Sequence, residues 1–159
     1  MIIFGIDPAI THTGWGVISV NGSSIKYIAS GVIDTSSSDT MPARLAIISR
    51  EIEDLLERFK PNVAALEETF INKNALSSLK LSHARGAIMA MVGKYDIPLY
   101  EFAPNKVKKT LTGSGHADKE QIIHMIKILM PTAKLHKFDE ADALAVAYTC
   151  SVYNTNFIS

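Results

Sequence analysis

Hydrophobic positions gather first in three short runs, at 1–7, 13–20 and 25–33, rich in Ile and Val. The turn residues Asn21-Gly22-Ser23-Ser24 separate the second from the third. Short β-branched runs joined by tight turns predict three strands in an antiparallel meander. Ser36-Ser37-Ser38-Asp39 reads as a loop. The spacing then changes. Leu45, Ile48, Ile52, Leu55, Leu56 and Phe59 form one stripe, with Arg44, Arg50, Glu51, Asp54 and Arg58 largely outside it. That period predicts an amphipathic helix, ended by Pro61.

The rest of the chain alternates. Residues 63–67 form a fourth apolar run ending on a carboxylate, and 75–92 is a helix rich in Ala, Gly and Ser. Residues 97–102 are a fifth strand. A basic segment and the loop Thr112-Gly113-Ser114-Gly115 follow, then helices over about 118–130 and 139–153, with Pro131 between them. The order β-β-β-α-β-α-β-α-α predicts one α/β domain over 1–159. Its mixed five-stranded sheet has three antiparallel strands, with two further parallel strands reached by helical crossovers. In such sheets, sites lie at the carboxyl ends of strands. Asp7 and Glu67 end the first and fourth strands.

At 159 residues with 47% apolar content, the chain has enough for a hydrophobic core. No apolar run approaches the ~18 residues of a membrane helix. The start Met-Ile-Ile-Phe-Gly-Ile-Asp reads as a strand rather than a signal peptide, so a cytoplasmic protein away from membranes is expected. The lone Cys150 excludes an internal disulfide and a Cys-based zinc site. The net charge is zero, but its distribution is uneven. Residues 72–94 carry Lys73, Lys80, Arg85 and Lys94 and no acid. Residues 104–134 carry Lys106, Lys108, Lys109, Lys119, Lys127 and Lys134 against Asp118 and Glu120. A neutral total thus covers a basic portion and an acidic remainder. These cations read either as a phosphate-binding surface or as solvated helix faces.

The acids carry the chemistry. Asp7 ends a buried strand, where a charge is costly unless paired or bound to metal; it also suits an Asp-Pro corner. Glu67 and Glu68 point to opposite faces, and alternation does not say which one joins Asp7. Asp139 and Asp142 share a helix face at i, i+3, as metal ligands would, and also as acids favoured in a first helical turn, where Asp139 suits the N-cap. Acids converging from two strand ends and a helix start can hold hard divalent cations for phosphoryl chemistry. The five histidines show no i, i+4 pair, which argues against zinc.

At this point the residues resemble a known family. Gly5-Ile6-Asp7-Pro8, Gly14-Trp15-Gly16-Val17, Glu67 to Phe70 with Lys73-Asn74, Ser78-Leu79-Lys80-Leu81, Ala84-Arg85-Gly86, Gly113-Ser114-Gly115 with Ala117-Asp118-Lys119, and 139–147 occur in order along nearly the whole chain. Together they are similar to the RuvC family of bacterial Holliday-junction resolvases, whose fold is RNase H-like. The resemblance implies that Asp7, Glu67, Asp139 and Asp142 bind Mg²⁺, two ions per site with Mn²⁺ as a substitute, and it favours Glu67 over Glu68. It implies that water activated at one metal attacks phosphorus in line while the other stabilises the leaving 3′-oxygen. The products would be ligatable nicks with 5′-phosphate and 3′-hydroxyl ends. It implies that Phe70 stacks on bases near the junction, that Lys108 and Lys119 lie near the scissile phosphate, and that Lys73, Lys80, Arg85, Lys106 and Lys109 contact DNA more generally. It implies a homodimer, for which the small residues of the 75–92 helix make a candidate interface. It also implies a branch-migration helicase complex of the RuvA and RuvB type as partner, acting in recombination and repair. One departure is Ala9, where many members carry Gly; a turn needing positive φ would be strained by it.

Two other readings compete. The Gly5-to-Gly14 turn also resembles the phosphate loop of actin-like kinases, but the second lobe and second loop of that class are missing. A catalytically silent RNase H-like nucleic-acid-binding module would be marked by loss of an acid, and all four are present.

Overall fold

A computed structural model describes residues 1–69 and 73–153. Five strands form one sheet in the order β3-β2-β1-β4-β5. β1 (Ile2–Asp7), β2 (His12–Asn21) and β3 (Ser24–Asp34) make the antiparallel meander; β4 (Val63–Glu67) and β5 (Leu99–Phe102) join beside β1 in parallel. The expected mixed sheet is therefore present. Among the described residues no helix is long and apolar enough to cross a membrane.

Strand alternation divides the core. Phe4, Ile6, Val17, Ala64 and Leu66 pack on one face beneath α1 (Met41–Phe59) and α2 (Ala75–Lys94). Ile3, Ile18, Val63, Ala65 and Phe102 pack on the other beneath α3 (Pro104–Thr112), α4 (Lys119–Leu129) and α5 (Phe138–Tyr153). α5 is the central helix, since Ala141, Ala143, Leu144, Ala145, Val146 and Ala147 are all buried.

Three details differ from the sequence expectations. The basic segment after β5 is a helix, α3, opened by Pro104 and closed by Gly113 at φ +80°. Its signal lay in Val107 and Leu111, one turn apart and both buried under a surface of lysines. Arg44, assigned outside the α1 stripe, is buried. Its Nε donates to Thr35 Oγ1 (2.9 Å), and its Nη2 donates to Thr11 Oγ1 (2.9 Å) and the Ile10 carbonyl. A buried guanidinium needs such acceptors, and here they hold the turn that follows Asp7. Finally, Ala9 takes no positive φ, so that turn carries no strain at it; the Ala9 carbonyl accepts the Thr13 hydroxyl at 2.6 Å.

Candidate active site

Register and alternation bring the first two acids together. Ile6 of β1 lies opposite Leu66 of β4 in a parallel pair, so Asp7 and Glu67 are the next step at adjacent strand ends. Ile3 and Val63 belong to the α5-side core, and residues two and four further along share that face. Asp7 and Glu67 thus point toward α5, while Glu68, just past the end of β4, lines a pocket at the strand ends together with them.

α5 can reach them because the sheet beneath it lacks side chains. Gly16 pairs with Gly5, and Gly14 pairs with Asp7. A methyl group at Gly14 would stand 2.6 Å from the Asp139 carbonyl carbon and 3.0 Å from its Cβ. At Gly5 it would stand 2.8 Å from Ala147, and at Gly16 2.7 Å from Leu144. The alanines of α5 supply the complementary small surface. This contact sets the start of α5, with Asp139 in its first turn and Asp142 just beyond, onto the ends of β1 and β2.

Asp139 is not the N-cap. α5 begins at Phe138, which places Asp139 inside the first turn. Glu140 does the capping. Its Oε2 accepts the backbone N–H groups of His136 (2.7 Å) and Lys137 (2.8 Å), and its Oε1 accepts the Ser30 hydroxyl (3.1 Å). A carboxylate three residues past the cap position, reaching back to the cap N–H, is half of a capping box. Neither Asp139 nor Asp142 takes part in that capping, and Asp142 lines a cleft with Glu67.

The electrostatics are those of crowded acids. Burial holds the Asp7 carboxyl well above the usual range, and the charges of Glu67, Asp142 and Asp139 add to this; Lys119 opposes it. Burial raises Glu67 to about 7, with Asp142 adding and Lys108 opposing. Asp142 is raised by burial and by Asp139, against Lys119 and Lys108. Among the described residues none of the four makes an ion pair or a side-chain hydrogen bond.

The other expected residues are distributed unevenly. Lys108 and Lys119 line a cleft of about 370 Å³ with Glu67 and Asp142, floored by Val107, Ile122 and Ala145. The Lys119 ammonium lies 5.4 Å from the Phe138 ring centroid. Lys106 sits over the rings of Tyr153 (3.8 Å) and Phe102 (5.3 Å). Lys73, Lys80 and Lys109 are exposed. Arg85 donates to the Glu67 carbonyl and to Thr69 Oγ1 and pairs with Glu101, so it buttresses the end of β4. Phe70 lies outside the described residues. Sequence reasoning did not single out Arg44 or Glu140. The available signal for Glu140 was an acid three residues beyond the helix cap position; nothing in the periodicity marked Arg44.

The donor set fits a hard divalent cation. Four carboxylate side chains interact here, Asp7, Glu67 and Asp142 with raised proton affinity and none of the four in an ion pair among the described residues, an arrangement that a metal relieves. Among the described residues no three of the acids stand close enough together to hold one ion jointly. They face one another at a range where their charges interact, and a cation that retains some of its water does not need all of them in direct contact.

The sign of the pH dependence follows. Asp7, Glu67 and Asp142 have folded-state pKa values above their unfolded values, so the native chain binds more protons than the unfolded one. The resulting stability is complete below the unfolded carboxyl values near 4 and is lost as pH rises through the folded values. The melting temperature of the metal-free protein is expected to fall between roughly pH 5 and pH 8 from this source. Saturating Mg²⁺ is expected to restore it at the upper pH and change little at the lower, because ligand carboxylates must be deprotonated. Equal stabilisation at both pH values, read by scanning calorimetry, would contradict the assignment.

Comparison with known proteins gives the family. Residues 3–150 match the family model described as crossover junction endodeoxyribonuclease RuvC. The chain is 54% identical over 153 residues to the crossover junction endodeoxyribonuclease RuvC of Rickettsia bellii (strain RML369-C), covering 96% of this chain and 98% of that one. The structure of T. thermophilus RuvC in complex with Holliday junction substrate superimposes with a TM-score of 0.92 at 32% identity, over 99% of this chain and 97% of that one. A further Thermus thermophilus RuvC structure gives 0.88 at 31% identity, covering 99% of this chain and 98% of that one.

Proposed function

The chain belongs to the RuvC family of crossover junction endodeoxyribonucleases, and from that membership we propose that it resolves four-way DNA junctions by nicking paired strands symmetrically, with Asp7, Glu67, Asp139 and Asp142 holding divalent metal. The supporting observation is the crowding of four acids where β1, β4 and α5 meet, with no cationic side chain paired to any of them among the described residues.

Mg²⁺ suits these oxygen donors, two ions per site, with Mn²⁺ as a substitute. Bound there, the ions supply Lewis acidity toward an attacking water and a departing 3′-oxygen. The chain's own groups do the rest. Asp7 and Glu67 fix one side of the site on rigid strands, and Asp139 and Asp142 fix the other on a buried helix. Lys108 and Lys119, at the edge of the same cleft, neutralise the phosphate as negative charge develops on its oxygens. The apolar floor of Val107, Ile122 and Ala145 limits water to one side. In-line attack leaves 5′-phosphate and 3′-hydroxyl ends that a ligase can seal, as recombination and repair require. Lys73, Lys80, Lys106 and Lys109 give backbone affinity that weakens with salt. Arg85 is left out of that group, because its nitrogens are engaged at the end of β4. A base-stacking role for Phe70 rests on the family resemblance.

The reading includes a homodimer, since symmetric nicks need two sites related by a two-fold axis. α2 is the proposed interface: Leu76 (61%) and Leu79 (54%) stand exposed, and nothing lies within 4 Å of where a Gly86 Cβ would be. Leu79→Asp is expected to shift the protein to monomer by light scattering and to turn paired nicks into single ones. An unchanged dimer would move the interface elsewhere. A branch-migration helicase of the RuvA and RuvB type is the partner this reading brings with it, in the bacterial cytoplasm.

The deciding test is incubation with a synthetic four-way junction and Mg²⁺ beside linear duplex and an RNA–DNA hybrid. Symmetric ligatable nicks confined to the junction are expected. Cutting of the hybrid instead would remove the resolvase reading and keep the fold.

A further inference from the structure

We infer that Glu140, which lies between two proposed metal ligands without facing the site, is a positioning residue that sets metal affinity by fixing the first turn of α5 against β3. The inference rests on the metal reading above.

Glu140 is 3% exposed, the most buried carboxylate-bearing residue of the core. Burying a carboxylate is costly unless every lone pair facing the interior finds a donor. Glu140 has three donors. The His136 and Lys137 N–H groups fill Oε2, and the Ser30 hydroxyl fills Oε1. The contacts join segments far apart in sequence: Ser30 sits on β3 opposite Gly16, and its own hydroxyl lies 3.1 Å from Tyr27 Oη. Tyr27, Ser30 and Glu140 form a chain running from the edge strand to the helix start.

This chain fixes a degree of freedom that the glycine contact leaves open. Gly14 and Gly16 set how closely α5 approaches the sheet, but small surfaces resist sliding and rotation weakly. The Glu140 carboxylate anchors the first turn at one register. The neighbouring Lys137 ammonium also bonds Asp34 at the end of β3 (3.2 Å), so the segment entering α5 is tied to that strand twice. Asp139 precedes Glu140 in that turn, and Asp142 follows it two residues later. A rotation about the helix axis would carry both away from Asp7 and Glu67. Partners one layer behind metal ligands alter metal affinity by ~10–100-fold when removed.

The test compares Glu140→Ala, Glu140→Gln and Ser30→Ala by Mn²⁺ calorimetry, by the Mg²⁺ concentration giving half-maximal junction cleavage, and by junction binding in EDTA. Glu140→Ala is expected to weaken Mn²⁺ about tenfold or more. The half-maximal Mg²⁺ concentration should rise in parallel. Cleavage at saturating Mg²⁺ should return to within a few fold of wild type, with metal-free junction binding unchanged. Gln keeps a carbonyl oxygen for the two N–H groups and should recover most of the affinity. Ser30→Ala, which removes one bond at the edge strand and serves if Glu140→Ala does not fold, should give a smaller shift in the same direction. Loss of melting temperature with Mn²⁺ affinity unchanged in both Glu140→Ala and Ser30→Ala would overturn the inference. Absence of Mn²⁺ binding by the wild type would instead remove the metal reading beneath it.

Discussion

Asp7→Asn is expected to abolish junction cleavage while leaving junction binding intact. The substitution keeps the shape of the side chain and removes its charge. Asp7 is the acid on which the other three act: Glu67, Asp142 and Asp139 all raise its proton affinity. It therefore sits where a cation would gain most from all four. An amide oxygen there is a weaker ligand for a hard cation, and the loss in cleavage rate should be at least about a thousandfold, the scale seen when one member of a catalytic set is removed. Binding should survive because the proposed DNA contacts, Lys73, Lys80, Lys106 and Lys109, lie away from Asp7 on and beside α2 and on α3. The metal-free variant should also melt no lower than wild type at pH 8, because one of several mutually repelling charges is gone. Gel-shift in EDTA and a cleavage time course in Mg²⁺ read both halves. Residual cleavage at the wild-type rate would take Asp7 out of the site.

The second large effect belongs to a residue with no chemistry of its own. Gly14→Ala would place a methyl group against backbone atoms of Asp139, with the carbonyl carbon at 2.6 Å. Backbone at a helix start cannot swing aside as a side chain tip can, so α5 must lift. Overpacking of this kind costs about 1–3 kcal/mol in stability. The functional loss should be larger. A displacement of about 1 Å at a reacting centre costs on the order of a hundredfold in rate. Gly22→Ala is the control: a methyl group there meets nothing within 4 Å, though its φ of +59° adds modest strain. Thermal melting with kcat on junctions separates the two terms. Full activity in a stable Gly14→Ala variant would show that α5 need not sit so close.

Much of this was legible in the sequence, and the exceptions share a cause. Strand runs, crossover order and strand-end acids follow from local pattern, and the sheet formed as expected. The choice between Glu67 and Glu68 did not follow, because alternation fixes relative facing only. It needed to be known that Val63 and Ala65 face α5, which is a tertiary fact. The capping question over Asp139 had the same character. The i, i+3 spacing suited both roles until the helix start at Phe138 gave the cap bond to Glu140. α3 was hidden because its lysines dominate the composition while only Val107 and Leu111 face inward. Arg44 was misplaced because its burial depends on the Thr11, Thr35 and Ile10 acceptors brought together by β2, β3 and the turn after Asp7. The close seat of α5 was foreseeable from its alanines. That Gly5, Gly14 and Gly16 lie on one face across two strands required the register.

If the four carboxylates act as one cation site, as proposed, the protons they hold offer the direct test. Mn²⁺ is titrated calorimetrically into the metal-free protein near pH 7 in two buffers of different ionisation enthalpy. Glu67 at about 7 and the raised Asp7 and Asp142 should release protons as metal enters, giving a buffer-dependent heat that Asp7→Asn reduces or removes. Binding with no buffer dependence, and undiminished in Asp7→Asn, would contradict it.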